Sequence, residues 1–472
     1  MSHLGWIDRA KLSMARRAQQ SVPYGDSNPF LSGPFAPAAS EITQTDLPHS
    51  GEIPADLRGI YARIGPNPIS VANPANYHWF LGDGMVHGVR LDCGRATWYR
   101  NRWIGTNSVT ERLGRPALPG AGLNPAGDTV NTHIIAHAGR IWALVEAGSP
   151  PIELDRELNS VRQSLFVSGG PTGFSAHPHR DAATGELHAI CYKVLVEDRI
   201  FYRVIGPAGD LRREVAIPVR HGPMVHDCAL TASSVVVLDL PITFSNKAAL
   251  RGMTYPYQWR DNHPARVGLI SRQPGHDAVR WFDVDPCYVF HVANAYDLAD
   301  GTVVLDVVAY PRMFDGSRNG PENAASTLER WTLAPGAGKV ARAVRSDAQQ
   351  EFPRIDDRLT GLPYRYAYTV GVGITNPGPQ PLYRHDLHTG ATIRHDFGPN
   401  HMPAEFVFVP RHAGAAEDDG WLMGYVYDLA ENTSSLQILA AADPAGKPVA
   451  TIALPARVPM GFHGNWLPDE PA

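Results

Sequence analysis

The sequence predicts an all-β fold, specifically a closed array of small sheets of the β-propeller type. From about residue 28 onward, short β-rich runs alternate with clusters of Gly, Pro, Asn and Asp, which is typical of many short strands joined by tight turns. One hairpin phrase recurs far apart, as Asp181–Gly185 and as Asp386–Gly390, with Gly supplying the positive φ of the turn. No long helical period interrupts the pattern, and a closed ring of sheets protects strand edges.

The elements along the chain support this prediction. Residues 1–27 form a flexible or helical N-terminal segment, in which residues 5–20 fit either a short amphipathic helix or a frayed tail. Residues 28–472 contain no Ser/Gly linker or charge block, so we predict one large domain there. Its most convincing strands are Ile141–Glu146, Leu187–Tyr192, Val235–Leu240, Thr302–Val308, Phe406–Val409, Trp421–Tyr427 and Leu436–Ala440.

Composition limits the cellular locations and the classes of binding partner that fit this protein. A net charge of -5 provides no broad basic field, which argues against nucleic acid as a partner. No apolar run approaches the length of a membrane span, and the charged N-terminus lacks the apolar region of a secretory signal. We therefore expect a cytoplasmic protein. Its four cysteines have no C-x-x-C spacing and are expected to be reduced core residues, at Cys93, Cys191, Cys228 and Cys287.

Four histidines lie in apolar or aromatic surroundings and are candidates for one shared site. They are His177, His226, His291 and His463. Long stretches of chain separate them, unlike a local zinc motif, so a shared site requires distant segments to point one imidazole each at a central axis. Neutral imidazoles suit iron, copper, zinc and nickel, and four of them leave two open positions on an octahedral Fe(II). Each histidine alone also fits a packed or capping role.

Three glutamates strengthen the case for such a site. Glu146 ends an apolar strand, and Glu351 and Glu405 each begin one. A buried glutamate is costly unless it is paired, and a metal-bound imidazole offers its second ring N–H to a carboxylate. The alternative is a salt bridge to a nearby arginine such as Arg354 or Arg411.

A series of short phrases, in order from about residue 28 to 466, resembles the carotenoid cleavage oxygenases. The phrases are Asn28–Pro37, Gly65–Pro68, His78–Gly88, Ala143–Gly148, Ala176–Pro178, His226–Asp227, Trp281–Phe282, His291–Tyr296, Glu351–Pro353, Phe406–Pro410, Glu417–Gly420 and Phe462–Gly464. The resemblance implies a seven-bladed β-propeller with a loop or helical cap over one face. It also implies one axial non-haem Fe(II) per chain, bound by the four histidines.

The same resemblance implies roles for other residues. Glu146, Glu351 and Glu405 would orient His226, His291 and His463 respectively, and His177 would lack a glutamate partner. The methyl group of Thr132 would crowd one open iron position. His179 is expected to be a surface or loop histidine, and Asp227 to turn the chain outside the site. Leu81 occupies a position where the family often has an acidic residue, and the turn at Asp83 and Gly84 is expected to be intact.

The implied reaction is cleavage of one C=C bond of a carotenoid or apocarotenoid by O2 to give two carbonyl products. Stilbene-cleaving members activate a phenol with a lysine and a tyrosine, whereas this chain has Val145 and Trp103 near those positions. This difference favours an apolar polyene. The alternatives are stilbenoid cleavage, a non-cleaving retinoid-type isomerase of the same family, and a non-enzymatic propeller that binds a partner.

Two further expectations concern the path of the substrate. Aromatic residues could line a tunnel or simply fill the core, namely Phe80, Trp142, Phe174, Phe290 and Tyr296. Residues 243–259 could contact a membrane peripherally to admit a lipid-dissolved substrate, or could form an insertion packed over the propeller face.

Overall fold

The structure is a computed structural model that describes residues 6–120, 128–164, 166, 173–194, 196–322, 325–373, 378 and 380–469, with the backbone alone for residues 6–9. Seven antiparallel sheets form the blades of a β-propeller, as predicted. The strand at one end of most sheets contacts the corresponding strand of the neighbouring sheet, so these inner strands surround a common axis.

The strands of each blade follow one another from the axis outward. Blade 1 contains Gly464–Pro468, Gly59–Pro66, Gly84–Asp92, Arg95–Trp103 and Thr43–Thr45. Blade 2 contains His133–His137, Arg140–Leu144, Ile152–Leu154 and Ser160–Gln163. Blade 3 contains His179–Arg180, Leu187–Cys191, Arg199–Ile205 and Leu211–Pro218. Blade 4 contains Cys228–Leu230, Ser234–Asp239, Arg266–Ser271 and Val279–Asp283.

The remaining blades follow the same order. Blade 5 contains Tyr288–Asp297, Val303–Tyr310, Thr327–Leu333 and Ala341–Ser346. Blade 6 contains Gln350–Arg354, Tyr366–Gly371, Pro381–Asp386 and Thr392–Asp396. Blade 7 contains His401–Pro403 and Val407–Pro410, then Gly420–Asp428, Thr433–Ala440, Ala450–Ala453 and His49–Gly51.

Two strands distant in sequence close the ring. Gly464–Pro468 pairs antiparallel with Gly59–Pro66 as the innermost strand of blade 1. His49–Gly51 pairs with Ala450–Ala453 at the outer edge of blade 7. The C-terminal strand thus completes a blade whose other strands come from the N-terminal part of the chain, and an N-terminal strand extends the last blade, which joins the two ends of the ring.

The predicted strands form because both of their faces are covered by neighbouring blades. Ser234–Asp239 and Leu187–Cys191 are buried almost without interruption, which explains why they appear as apolar runs rather than alternating patterns. The two recurring phrases form the predicted hairpins, with positive φ at Gly185 and Gly390. The cysteine prediction is wrong at Cys93, which is exposed because it lies with Gly94 in the two-residue turn between Gly84–Asp92 and Arg95–Trp103. Both turn residues have positive φ, as such hairpin turns require.

A cap covers one face of the propeller. Its centre is an insertion in blade 4 between Ser234–Asp239 and Arg266–Ser271, which contains the hairpin Ile242–Phe244 and Tyr257–Trp259 and a helix, Asn246–Leu250. The helix that was one alternative for the N-terminal segment spans Trp6–Gln20 and packs on this insertion, and Gln19 Nε2 donates to the Met253 carbonyl over 3.4 Å. A third helix spans Asn107–Arg112, and 3-10 turns occur at Pro29–Leu31, Gly33–Phe35, Pro74–Asn76, Trp79–Leu81 and Asp357–Leu359.

Side-chain caps start the two short helices. Ser245 Oγ accepts from Ala248 N, and Thr106 Oγ1 accepts from Val109 N, which satisfies backbone donors that a helix leaves free at its first turn. Across the described residues, no helix combines the length and apolar character that a bilayer crossing requires.

Candidate metal centre

The four candidate histidines meet at the propeller axis. One ring nitrogen from each of His177, His226, His291 and His463 lies within 4.8 Å of the others, and all four residues are buried. His226 Nε2 is 3.2 Å from His291 Nε2. They converge because each lies at or beside the inner strand of a different blade: blade 3, blade 4, blade 5 and blade 1.

Each of the three glutamates lies within hydrogen-bond distance of the histidine expected from the sequence. The Nδ1–H of His226 donates to Glu146 over 2.9 Å, that of His291 to Glu351 over 2.6 Å, and that of His463 to Glu405 over 2.9 Å. An ionised carboxylate only accepts, so it fixes the proton on Nδ1 and leaves the Nε2 lone pair free.

These residues fit a bound metal ion. The fixed tautomers direct unprotonated Nε2 atoms toward one another, where no proton is available to bridge them. His177 Nε2 is buried and has no hydrogen-bond partner among the described residues, and leaving such a nitrogen unsatisfied is costly. A cation that accepts four imidazole nitrogens, such as a first-row transition metal, relieves both problems.

Burial favours the neutral imidazole at two of the four candidate ligands, His177 and His463. Burial, together with the neighbouring imidazoles, lowers the pKa of His177 well below its ordinary value. Burial lowers the pKa of His463 to about 4, despite the opposing charge of Glu405. At His291 burial acts in the same direction, but the charge and hydrogen bond of Glu351 outweigh it and raise the pKa. Neutral imidazole is the form that binds metal.

Glu405 combines the two roles considered for it. Its Oε1 accepts from His463 and lies 3.4 Å from the Arg354 guanidinium, and its Oε2 accepts from Gly464 N over 2.8 Å. Burial would raise the pKa of this carboxyl, but the charges of His463 and Arg354 lower it strongly. Arg411 instead pairs with Asp419.

The centre opens onto a largely apolar cavity of about 200 Å³. Of the five aromatic residues proposed for a tunnel, Phe80 and Phe290 line this cavity. Trp142 and Phe174 pack against Phe166 in the core instead, and Tyr296 packs at a core edge. Thr132 also lines the cavity, and its hydroxyl donates to Asn131 Oδ1 over 3.0 Å.

Val145 and Trp103, the two positions at which this chain differs from the stilbene-cleaving pattern, lie in different parts of the structure. Val145 lines the cavity, whereas Trp103 does not and donates its Nε1–H to the Asn67 carbonyl. Leu81 lies at the cavity with a partly exposed side chain. The turn after it is intact, since Asp83 pairs with Arg112 through two hydrogen bonds.

The structure corrects the expectations for His179 and Asp227. His179 is half-buried in an inner strand rather than on the surface, and its Nε2 is 2.8 Å from Asp227 Oδ1. Asp227 is buried, and it also accepts from the backbone N–H of Cys228 and of Val292. One carboxylate therefore ties together the segments that follow His177, His226 and His291. The link crosses three blades, so no local sequence spacing indicates it.

A fifth buried histidine adjoins the centre and was missed by sequence reasoning. His133 Nδ1 donates to the Ala176 carbonyl over 2.7 Å, and its Nε2 accepts from Asn465 over 3.0 Å. Ala176 and Asn465 flank His177 and His463 in the chain. His133 thus holds two ligand segments together, and burial lowers its pKa to about 3.

Comparison with known proteins gives matches along most of the chain. The family model described as retinal pigment epithelial membrane protein matches residues 35–468. The chain is 42% identical to a carotenoid cleavage oxygenase of Mycobacterium tuberculosis, over 93% of this chain and 98% of the relative.

Two solved structures share the fold. The lignostilbene dioxygenase of Pseudomonas brassicacearum is 28% identical with a TM-score of 0.82, over 95% of this chain and 100% of that chain. The cobalt-substituted apocarotenoid oxygenase of Synechocystis is 26% identical with a TM-score of 0.81, over 92% of this chain and 97% of that chain. The chain belongs to the carotenoid cleavage oxygenase family, which includes the retinal pigment epithelial membrane protein.

Proposed function

We propose that the protein is a non-haem Fe(II) dioxygenase that cleaves one C=C bond of a carotenoid or apocarotenoid with O2. Residues 28–472 would form its catalytic domain. The main support is the convergence of four buried imidazoles beside an apolar cavity. His177, His226, His291 and His463 would hold one Fe²⁺, which supplies a binding and activating site for O2. The cobalt form of the Synechocystis relative supports a divalent metal here.

The residues around the ligands would keep the centre ready for metal. Glu146, Glu351 and Glu405 hold three imidazoles in one tautomer and orientation. Because the Thr132 hydroxyl is bonded to Asn131, its methyl group is the part of the side chain that is free to crowd one open metal position. That would leave one accessible coordination position for O2.

The cavity would select the bond and exclude water. Aromatic and aliphatic side chains dominate its lining, which suits a polyene and disfavours water. Overall, one alkene and one O2 give two aldehydes or ketones, with one oxygen atom in each product. No proton leaves or enters the substrate in this balance, so no side chain need act as acid or base.

Incubation of the Fe(II)-loaded enzyme with carotenoids, apocarotenals and hydroxystilbenes, with products identified by mass, tests the proposal. Under 18O2, we expect one labelled oxygen in each carbonyl product, and the metal-free protein serves as the control. Cleavage aldehydes without label would contradict dioxygenation, whereas an isomerised product of unchanged carbon number, with no cleavage product, would favour the isomerase alternative.

Stilbenoid cleavage is a second candidate, favoured by the likeness to the lignostilbene dioxygenase. Against it, Val145 at the cavity cannot activate a phenol. Efficient cleavage of hydroxystilbenes in the same panel, with carotenoids and apocarotenals untouched, would select this candidate.

We also propose peripheral membrane contact through residues 243–259 of a cytoplasmic enzyme. Within this segment Leu250 is 54% exposed and lies beside Lys247 and Arg251, a combination that suits an anionic lipid surface. Leu250→Asp should weaken flotation with anionic vesicles about tenfold. Leu298→Asp, at an exposed leucine outside the segment, is the control. Equal flotation of both variants and the wild type would remove this contact.

A further inference from the structure

Three tyrosines form a polar patch in the largely apolar cavity wall. Tyr192, Tyr255 and Tyr257, here called the tyrosine group, all line the cavity. Tyr255 and Tyr257 come from the blade 4 insertion, and their ring centroids are 5.1 Å apart. The Tyr192 ring, from the end of a blade 3 strand, is 6.0 Å from that of Tyr257. The group therefore brings three phenolic hydroxyls into one part of the wall.

The hydroxyls of the tyrosine group lack strong acceptors. Tyr288 nearby donates to the Met224 carbonyl, and Tyr310 donates to Glu351. By contrast, the hydrogen bonds of the Tyr255 hydroxyl within the described part of the chain are to the Met224 thioether and to Tyr192. Tyr257 is 3% exposed and lines the cavity, and its hydroxyl is not one of the fully buried, unpartnered side-chain atoms among the described residues, so it retains access to the cavity space. A ligand that fills the cavity displaces water from these hydroxyls, and an acceptor on the ligand would replace the lost hydrogen bond.

The charges around the group restrict that ligand. Burial, with the nearby Glu146 carboxylate, raises the pKa of Tyr192, Tyr255 and Tyr257 well above their ordinary value. All three are therefore neutral donors. No lysine or arginine occurs among the cavity-lining residues that the structure describes. Glu146 would repel an anionic oxygen and no side-chain cation of the described lining would offset it, so the group suits a neutral oxygen.

We propose that the tyrosine group binds a neutral oxygen of the substrate, either a hydroxyl or a carbonyl. This subsite rests on the proposed function, and it would make the enzyme select oxygenated polyenes over hydrocarbon carotenes. An oxygen that enters an apolar cavity loses its hydration, and a donor on the wall restores the lost hydrogen bond. A hydrocarbon ligand leaves the Tyr257 hydroxyl without an acceptor, and this adds to the difference in affinity between oxygenated and hydrocarbon polyenes.

Binding measurements test the subsite separately from turnover. The anaerobic Fe(II)-loaded enzyme is titrated with a ring-hydroxylated carotenoid and its unsubstituted carotene, and with an apocarotenal and the hydrocarbon that lacks its aldehyde. Tryptophan fluorescence quenching reports each Kd. One hydrogen bond corresponds to about fivefold in Kd, so we expect a wild-type preference of at least about fivefold in one pair.

Removing the hydroxyls should remove that preference. Tyr257→Phe should reduce it about fivefold, and the Tyr192→Phe/Tyr257→Phe double variant should abolish it. Tyr288→Phe is the matched control, because its hydroxyl is bonded to Met224 and the preference should persist. Loss of the preference in the Tyr→Phe variants, for the hydroxylated carotenoid pair or for the apocarotenal pair, supports the proposal. The pair that loses it shows whether the bound oxygen is a hydroxyl or a carbonyl.

The failures are distinguishable. An unchanged preference in the double variant, with measurable Kd values throughout, overturns the subsite even if the enzyme cleaves polyenes. The expected loss of preference in a protein that cleaves no polyene would retain the subsite and overturn the proposed dioxygenase.

Discussion

The propeller axis and the cavity wall hold their side chains in different ways. At the axis, three of the four candidate metal ligands, His226, His291 and His463, donate to a carboxylate over 2.6–2.9 Å, and His177 does not. At the wall, Phe80 packs on Tyr255 and Phe290 with ring centroids 5.4 and 6.3 Å apart. Hydrogen bonds fix direction, whereas aromatic packing tolerates repacking. Metal binding and substrate choice should therefore be separable by mutation.

The largest effect is expected at the axis. His291→Ala removes one of the four imidazoles and leaves Glu351 without its main partner, so we expect metal affinity to fall by more than about 100-fold. Metal content after Fe(II) loading and Co(II) titration measure this loss. His395→Ala, at a buried histidine in the outermost strand of blade 6, should keep full metal content. Retention of metal in both variants would contradict the four-ligand centre.

Acid should destabilise the metal-free protein through its buried neutral histidines. Burial lowers the pKa of His463 to about 4 and of His133 to about 3. Below the unfolded value of 6.5, the unfolded chain takes up protons that the folded chain refuses. The free energy of unfolding should fall as pH drops from 6.5 toward 4, by up to about 1.4 kcal/mol per pH unit for each such histidine. Urea unfolding at several pH values measures this, and a flat profile would contradict it.

The two oxygens of Glu351 allow a matched test of orientation. Oε2 accepts from His291, and Oε1 accepts from Tyr310 over 3.1 Å. Glu351→Gln should weaken metal binding about 10- to 100-fold, because the imidazole loses its tautomer-fixing partner. Tyr310→Phe removes only the far contact and should cost less than about tenfold. Equal losses in Co(II) titration would mean that the carboxylate does not orient His291.

Asp227→Asn should lower the stability of the propeller more than its affinity for metal. The carboxylate accepts from His179, Cys228 N and Val292 N, and an amide offers one acceptor oxygen instead of two. We expect the free energy of unfolding to drop by about 1–3 kcal/mol, with a smaller change in Co(II) affinity than for Glu351→Gln. A stability equal to that of the wild type, measured by urea unfolding, would remove Asp227 as a link between blades.

The smallest effect on metal affinity is expected from a change in the cavity wall. Phe80→Leu deletes a ring that contacts Tyr255, Phe290 and Phe462. Loss of about 1 kcal/mol of packing should raise the KM for a polyene roughly fivefold. The Co(II) affinity should not change. A parallel loss of Co(II) affinity would show that axis and wall are coupled.

Much of the fold could be predicted from the sequence because each blade strand is covered on both faces. That burial produces apolar runs such as those at 187–191 and 234–239, bounded by turn residues. The histidines and glutamates could be paired because ordered phrases around them resemble a family. Composition alone left each of them with an ordinary packing role.

The rest depended on contacts between blades. Asp227 bonds a strand of blade 3 and a strand of blade 5, and nothing in its neighbouring residues indicates either partner. Trp142 and Phe174 have the same aromatic character as Phe290, but they face a gap between blades rather than the cavity. Tyr192 and Tyr257 meet only because an insertion folds back over the propeller.

Ring closure also sets an order of assembly. His463 directly precedes the strand Gly464–Pro468, which inserts beside Gly59–Pro66 to complete blade 1. During synthesis, the other three histidines have left the ribosome long before this strand exists. A nascent chain therefore carries an incomplete ligand set until the first and last blades join. Stable metal loading should be a late event in biogenesis, and it would mark chains whose ring has closed.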